Sequence, residues 1–337
     1  MLLSEVTEHK QRRLAVALLL LGALLATALA AATVLADEPI APLPQAVDYD
    51  EAKARLGQRL FSDPLLSLDR TISCASCHDL AAGGDDSRPV SLGIMGRSGV
   101  VNSPTVFNAR FNFRQFWNGR ARDLTEQAAG PLQDPVEMGI TPAELENRLN
   151  REASYRAAFT AVYGDGRISF ARVLDALAEF QKALVTPDSP FDRYLRNEQP
   201  LSEQELRGYL AFKELGCVTC HNGINLGGNS YQKIGVINPY RNGTAADHDS
   251  PRGDRQALTN DPADRDLYKV PTLRNIELTA PYFHDGSRAT LAKALEDMGH
   301  YNLGLKLSLA QIQDLFVFLK TLTGQRPAIL QAGPDAS

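Results

Sequence analysis

Cysteine is scarce, with four residues in a chain of 337, and tryptophan occurs once. All four cysteines lie in two short motifs, Cys74-Ala75-Ser76-Cys77-His78 and Cys217-Val218-Thr219-Cys220-His221, so none remains for a structural disulfide. Positive charge is also short, 35 basic residues against 40 acidic ones, for a net charge of -5. Nucleic-acid binders usually carry a basic patch, so that class is set aside. Strand signals are few. What is plentiful is apolar residues, 44% of the chain, enough to bury two ordinary cores of about 150 residues each.

The N-terminus reads His9-Lys10-Gln11-Arg12-Arg13 and then an uncharged run over residues 14–36, ended by Asp37. A basic segment followed by an apolar one is the plan of a secretory signal. The run is also long enough, at about 20 residues, to span a bilayer as an uncleaved anchor. Small residues at its end, Val34-Leu35-Ala36, favour cleavage, and in either case the rest of the chain is exported. Residues 1–36 are thus read as signal peptide or anchor.

Cys-x-x-Cys-His is the attachment signature of c-type haem: two thioethers fix the porphyrin edge and the adjacent histidine takes one axial site on the iron. A thioredoxin-like redox pair or half a zinc site would explain one copy. Two copies, each with histidine in the same place and both behind an export signal, point to two haems.

Helical signals dominate the remainder. Thr141-Pro142-Ala143-Glu144 and Ser202-Glu203-Gln204-Glu205 read as capping boxes. Residues 168–184 carry Val173, Leu177, Phe180 and Leu184 at the three-to-four spacing of an amphipathic helix. Ser308 caps a last helix with Ile312, Leu315, Phe316, Leu319 and Leu322, stopped at Gly324. The fold class expected is all-α with long loops.

An internal repeat organises the chain. Pro104-Thr105-Val106-Phe107-Asn108, Phe116-Trp117-Asn118-Gly119-Arg120 and Glu137-Met138-Gly139 follow the first haem motif. Pro271-Thr272-Leu273-Arg274-Asn275, Phe283-His284-Asp285-Gly286-Ser287 and Asp297-Met298-Gly299 follow the second in the same order. A duplicated one-haem domain results, with residues 37–199 and 200–337 as the two expected cytochrome c-like domains and the join near Asn197-Glu198-Gln199-Pro200.

Two haems have four axial sites, of which His78 and His221 fill two. Past the leader, His248, His284 and His300 remain, together with Met95, Met138 and Met298. Methionine opposite histidine raises a haem's potential and closes the iron, which suits electron transfer; an open site suits chemistry. Counting does not say which haem takes the methionine, and a lone methionine is more often core packing than ligand. His248 lies in a polar loop and reads as solvated.

At this point the chain resembles the bacterial di-haem cytochrome c peroxidases, the family that also contains the MauG-type enzymes. The resemblance runs from about Asp48 to Gly324. It is carried by Leu56-Gly57-Gln58-Arg59-Leu60-Phe61, Asn102-Ser103-Pro104-Thr105-Val106-Phe107-Asn108, Gln115-Phe116-Trp117-Asn118-Gly119-Arg120-Ala121, Glu126-Gln127-Ala128-Ala129-Gly130-Pro131 and Ala280-Pro281-Tyr282-Phe283-His284-Asp285-Gly286.

The resemblance implies that the haem on Cys74, Cys77 and His78 is the low-potential site where hydrogen peroxide reacts. The haem on Cys217, Cys220 and His221 would be the high-potential electron store, with Met298 matching the family's second ligand to its iron. Some members have tyrosine at that position and this chain does not, which weighs against the rival reading of a MauG-like oxidase of a protein or organic substrate. Glu137 matches the catalytic glutamate and Gln127 the glutamine beside it; both features weigh against a di-haem electron carrier without chemistry. A carboxylate in a partly apolar pocket moves a proton between the two oxygens of peroxide, a contribution on the order of a hundredfold or more.

Trp117 matches a tryptophan between the haems, and His284 a histidine read as structural rather than axial. Asn102, Thr279 and Pro281 match a calcium site of oxygen ligands, the kind calcium prefers. The resemblance further implies a periplasmic enzyme, a small cytochrome c or blue-copper donor, and a homodimer. In many relatives the place of Ile94 is held by a histidine that caps the peroxidatic iron until the other haem is reduced. Isoleucine cannot ligate, so the first haem is expected to be open. Met95 is the competing ligand there, brought over the iron by a shift of one residue in a loop flanked by Gly93 and Gly96.

Overall fold

Helix starts follow the capping chemistry. The computed structural model describes residues 38–240 and 253–331, and the expected leader and His248 lie outside them. Helix α1, Glu51–Phe61, begins at Asp50, whose carboxylate accepts from the Lys53 N–H. Helix α2, Leu124–Gln133, is capped in the same way by Asp123. Helix α3, Pro142–Arg151, has Thr141 at its cap, but the expected capping box is only half formed. The Thr141 hydroxyl accepts from the Glu144 N–H, whereas the Glu144 carboxylate turns to Arg148 Nε at 2.7 Å. Arg148 is held by the carbonyls of Ser67 and Leu68, so the salt bridge outcompetes the box.

Helix α4, Ala153–Tyr163, stops at Gly164, which takes the left-handed conformation. Helix α5, Phe170–Ala183, starts after Ser169, within the periodic stretch read from the sequence. Helix α6, Pro190–Leu195, and helix α7, Glu203–Glu214, both carry complete capping boxes. The sequence missed two three-residue strands, β1 (Tyr231–Lys233) and β2 (Leu267–Lys269), which pair antiparallel with Tyr231 opposite Lys269. Short helix α8, Gln256–Thr259, lies between them in the chain. Helix α9 is Leu291–Leu303 and helix α10 is Leu309–Lys320, the latter ending before the expected stop at Gly324. Helix α11, Ala328–Gln331, ends the described chain. The described residues are thus mostly helical, with one small two-stranded sheet.

From Ala41 onward the described residues form one compact unit. Its two largest helix pairs, α1 with α5 and α7 with α10, cross by the same device. A β-carbon on Gly57 of α1 would lie 2.0 Å from the carbonyl oxygen of Ala176 on α5, and one on Gly208 of α7 would lie 2.0 Å from that of Asp314 on α10. In both cases Cβ of a phenylalanine, Phe180 or Phe318, packs beside the glycine. Only glycine permits the approach, which brings Leu56, Leu60 and Phe180 into one core. At the second crossing Tyr209 of α7 and, edge-on, Phe191 of α6 pack against Phe318, with ring centres 5.2 and 5.1 Å away. Each such buried side chain contributes roughly 1.5–3 kcal/mol of transfer free energy.

Loops are tied to this frame by buried polar groups. Arg274 and Asp192, both 0% exposed, pair at 2.6 Å, and Arg274 also donates to the carbonyl of Ile224. Asp192 in turn accepts from the N–H of Leu43. Asn108 and Asn275 both take left-handed backbone and both donate to the Thr186 hydroxyl, joining the two copies of the repeat at one residue.

Candidate haem sites

Both Cys-x-x-Cys-His motifs open with a 3-10 turn, Cys74–Ser76 and Cys217–Thr219, which sets the histidine one turn past the first cysteine. His78 Nδ1 lies 3.1 Å from the carbonyl oxygen of Gly84, and His221 Nδ1 lies 3.3 Å from that of Leu226. A carbonyl only accepts, so Nδ1 carries the hydrogen and Nε2 keeps its lone pair. That is how a metal-binding histidine is oriented by its outer partner. Burial holds His78 below its usual value and His221 down to about 4, so both rings are neutral. Thr105 and Thr272 brace the two loops alike, donating to the carbonyls of Gly83 and Asn225.

The surroundings differ between the copies. His221 and Met298, which is on α9, both line a cavity of about 230 Å³, together with Cys217, Cys220, Trp117 and His284. In the first copy the repeat equivalent of Met298 is Met138, which is 3% exposed and belongs to the core. Met95 does not turn inward either. It is 66% exposed in left-handed backbone, and its N–H donates to Asp69.

Ile94, by contrast, is 1% exposed. Its N–H donates to the Glu137 carbonyl at 2.9 Å. A β-carbon on Gly93 would lie 1.8 Å from the Val136 carbonyl oxygen, and one on Gly139 would lie 2.6 Å from Ile94 Cδ1. The Ile94 loop and the Glu137 segment are therefore pressed together. Burial, then the Cys77 thiol, push Cys74 up to about 12, and the Glu137 carboxylate adds a smaller rise there and at Cys77. Glu137 is thereby placed by the first motif. Gln127 is half-buried on α2, one turn before Pro131, whose carbonyl accepts from the Met138 N–H.

Trp117 Nε1 donates to the Asn102 carbonyl at 2.9 Å, and the Asn102 N–H donates to the His284 carbonyl at 2.7 Å. The Trp117 and His284 rings lie 6.3 Å apart, and His284 stacks on Tyr268 at 4.2 Å. Asn102, Thr279 and Pro281 all line the same cavity, and the Asn102 side-chain amide donates to the Arg88 carbonyl. His300 is exposed against Tyr301.

A family model described as di-haem cytochrome c peroxidase matches residues 51–200. A cytochrome c551 peroxidase of Nitrosomonas europaea is 44% identical over 94% of this chain and 93% of its own length. The chain belongs to the di-haem cytochrome c peroxidase family. A cytochrome c551 peroxidase of Pseudomonas aeruginosa is 40% identical over 93% of this chain and 94% of its own. A MauG protein of Methylophilus methylotrophus is more distant, at 32% over 84% of this chain and 86% of its own. Among solved structures, a MauG-like protein associated with microbial copper homeostasis superposes with a TM-score of 0.75 at 30% identity, covering 89% of this chain and 96% of that one.

As a member of this peroxidase family, the chain is an oxidoreductase acting on peroxide, and the family implies covalently bound haem c. The residues fit that group: paired cysteines beside a histidine whose Nε2 is free, with a methionine on the wall of the second cavity. Sequence reading missed Tyr268 and Lys269 in that wall and the buried carboxyl of Asp85 behind the first motif. Nothing in the local sequence signals that this lysine is buried.

Proposed function

We propose that this chain reduces hydrogen peroxide to two waters in the periplasm, with two protons from solvent and two single electrons from a small cytochrome c or blue-copper donor. Cys74, Cys77 and His78 would hold one haem c, and Cys217, Cys220, His221 and Met298 the other; bound there, the irons supply a site for peroxide and storage of one electron. The asymmetry of the two copies carries the reading. Met298 shares a cavity with His221, whereas its counterpart Met138 is sealed in the core and the first copy offers only Ile94.

In this reading Glu137 would take a proton from one peroxide oxygen and return it to the other, so that water can leave. Gln127 orients that carboxylate or the peroxide through its amide. Ile94 keeps water away and provides no ligand, so the site accepts peroxide without prior reduction of the second haem. Trp117 bridges the two copies through its ring and its bond to Asn102. Asn102, Thr279 and Pro281 supply oxygens to a calcium ion at the same junction. The chain would be exported by residues 1–36, work as a homodimer, and divide into peroxidatic residues 37–199 and electron-transferring residues 200–337.

A MauG-like oxidase is the second reading, favoured by the missing ligand at Ile94 and disfavoured by Met298 in place of tyrosine. The test is to record electronic and EPR spectra of the oxidised two-haem protein and mix it with peroxide before and after adding one electron. Reaction of the oxidised protein is expected. A first haem that is six-coordinate and inert in both states overturns the peroxidase reading, and bis-histidine ligation there overturns the open site.

A further inference from the structure

The cavity of His221 and Met298 has an unbalanced wall. No aspartate or glutamate lines it among the described residues, and its two lysines are Lys233 and Lys269. Lys233 is exposed, but Lys269 is only 7% exposed. Its backbone is fixed on both sides: its N–H donates to the Trp117 carbonyl at 2.7 Å, and β2 pairs it opposite Tyr231. Its ammonium has no hydrogen bond or ion pair among the described residues. Lysine is almost never buried unless it is paired, because an isolated charge loses its hydration without compensation. Burial alone pulls Lys269 down to about 8. The rest of the lining is mostly apolar and aromatic, with Cys217 and Cys220 supplying the points of covalent attachment.

We propose that Lys269 is the built-in counter-ion for an anionic edge of whatever fills this cavity, namely the carboxylate-bearing propionate edge of the second haem, and that it thereby positions that haem and raises its potential. This rests on the reading above that a haem c occupies the cavity. A haem attached through Cys217 and Cys220 carries two propionates and needs cations for them, and Lys269 is the deep cation the wall provides. Its charge also favours the reduced iron, which is less positive. The Lys269 N–H donates to the Trp117 carbonyl, so the backbone of this lysine is tied to the residue at the junction of the two copies. Lys269 is a positioning residue in this scheme.

The experiment is a spectroelectrochemical titration of the two-haem protein, comparing wild type with Lys269→Gln, Lys269→Arg and, as the control at the rim, Lys233→Gln. At a fixed potential Lys269→Gln should lower the ratio of reduced to oxidised second haem at least tenfold, which is about 59 mV for one electron. Lys269→Arg should restore the wild-type value to within threefold, and Lys233→Gln should change it less than threefold. Equal potentials in wild type and Lys269→Gln overturn the proposal, as does a Lys269→Arg potential no higher than that of the glutamine variant. Should Lys269→Gln not accumulate with two haems, the wild type decides through its redox-difference infrared spectrum. A paired propionate gives a carboxylate band that moves on ¹⁵N-lysine labelling, and an unmoved band overturns the pairing. A potential shift in a protein inert to peroxide would sink the peroxidase reading and leave this inference standing; unchanged potentials in an active peroxidase would do the reverse.

Discussion

Asp85 is a carboxyl group the fold would hold better as an amide. Its side chain is 1% exposed, Oδ2 accepts from the Ser87 N–H, and Oδ1 has no partner. A β-carbon placed on Gly83 would meet Asp85 Oδ1 at 2.6 Å and the Leu278 carbonyl oxygen at 2.5 Å, so two acceptors face one small space. Burial accordingly pushes Asp85 from its ordinary 3.8 up to about 6. Each unit of that rise costs about 1.4 kcal/mol, so ionising Asp85 in the fold costs about 3 kcal/mol. The sign follows from which state holds the proton. Below about pH 4 folded and unfolded chains both keep it and no cost is felt; as pH climbs through about 6 the folded chain must give it up and the whole cost appears.

Asp85→Asn removes the ionisation, keeps the bond from Ser87, and puts an N–H in place of an unpartnered acceptor. The variant should match wild type near pH 4 and exceed it by about 2–3 kcal/mol near pH 7.5, a rise in melting temperature of roughly 4–8 °C. Far-UV circular dichroism melts at both pH values, at one scan rate, measure this. A variant equal to or less stable than wild type at the higher pH would refute the reasoning.

Glu137→Gln should leave haem content and Soret spectra intact while lowering peroxide turnover about a hundredfold or more, as read by stopped-flow with an excess of reductant. Arg274→Met strands the Asp192 charge at 0% exposure and should cost about 3–5 kcal/mol in denaturant unfolding. The double variant Arg274→Met with Asp192→Asn should be more stable than the sum of its parts predicts. Gly208→Ala sets a methyl 2.0 Å from the Asp314 carbonyl oxygen and should destabilise the α7–α10 crossing by about 1–3 kcal/mol, with retention of full stability as the contrary outcome.

What was legible in the sequence was mostly local. Ser202 and Ser308 announced their helices because a cap and its third residue sit within one turn. The haem motifs and the repeat were legible because attachment chemistry and duplication fix spacing. The strands β1 and β2 were not, since three residues show no alternation to detect. Glu144 shows the limit of local rules: its carboxylate was spoken for by Arg148, which loop carbonyls far off in sequence hold in place. Met95 and Met138 were equal candidates in a count of ligands, and only packing separates an exposed loop residue from a core residue. Asp85 and Lys269 were invisible for a related reason, because charged side chains are ordinarily solvated and nothing in their neighbours' identity reveals that these two are buried.

The contact between Ile94 and Glu137 bears on how this loop can change. The backbone of residue 94 hangs on the carbonyl of residue 137, and its side chain fills the space that Gly139 leaves by having no Cβ. A histidine placed at position 94 would drive a ring into that space, and the loop could not swing without pulling on the Glu137 backbone. Such a substitution would thus require the 136–139 segment to be rebuilt at the same time. The two segments are interlocked: a larger side chain at position 94 is accommodated only by coordinated changes at several positions.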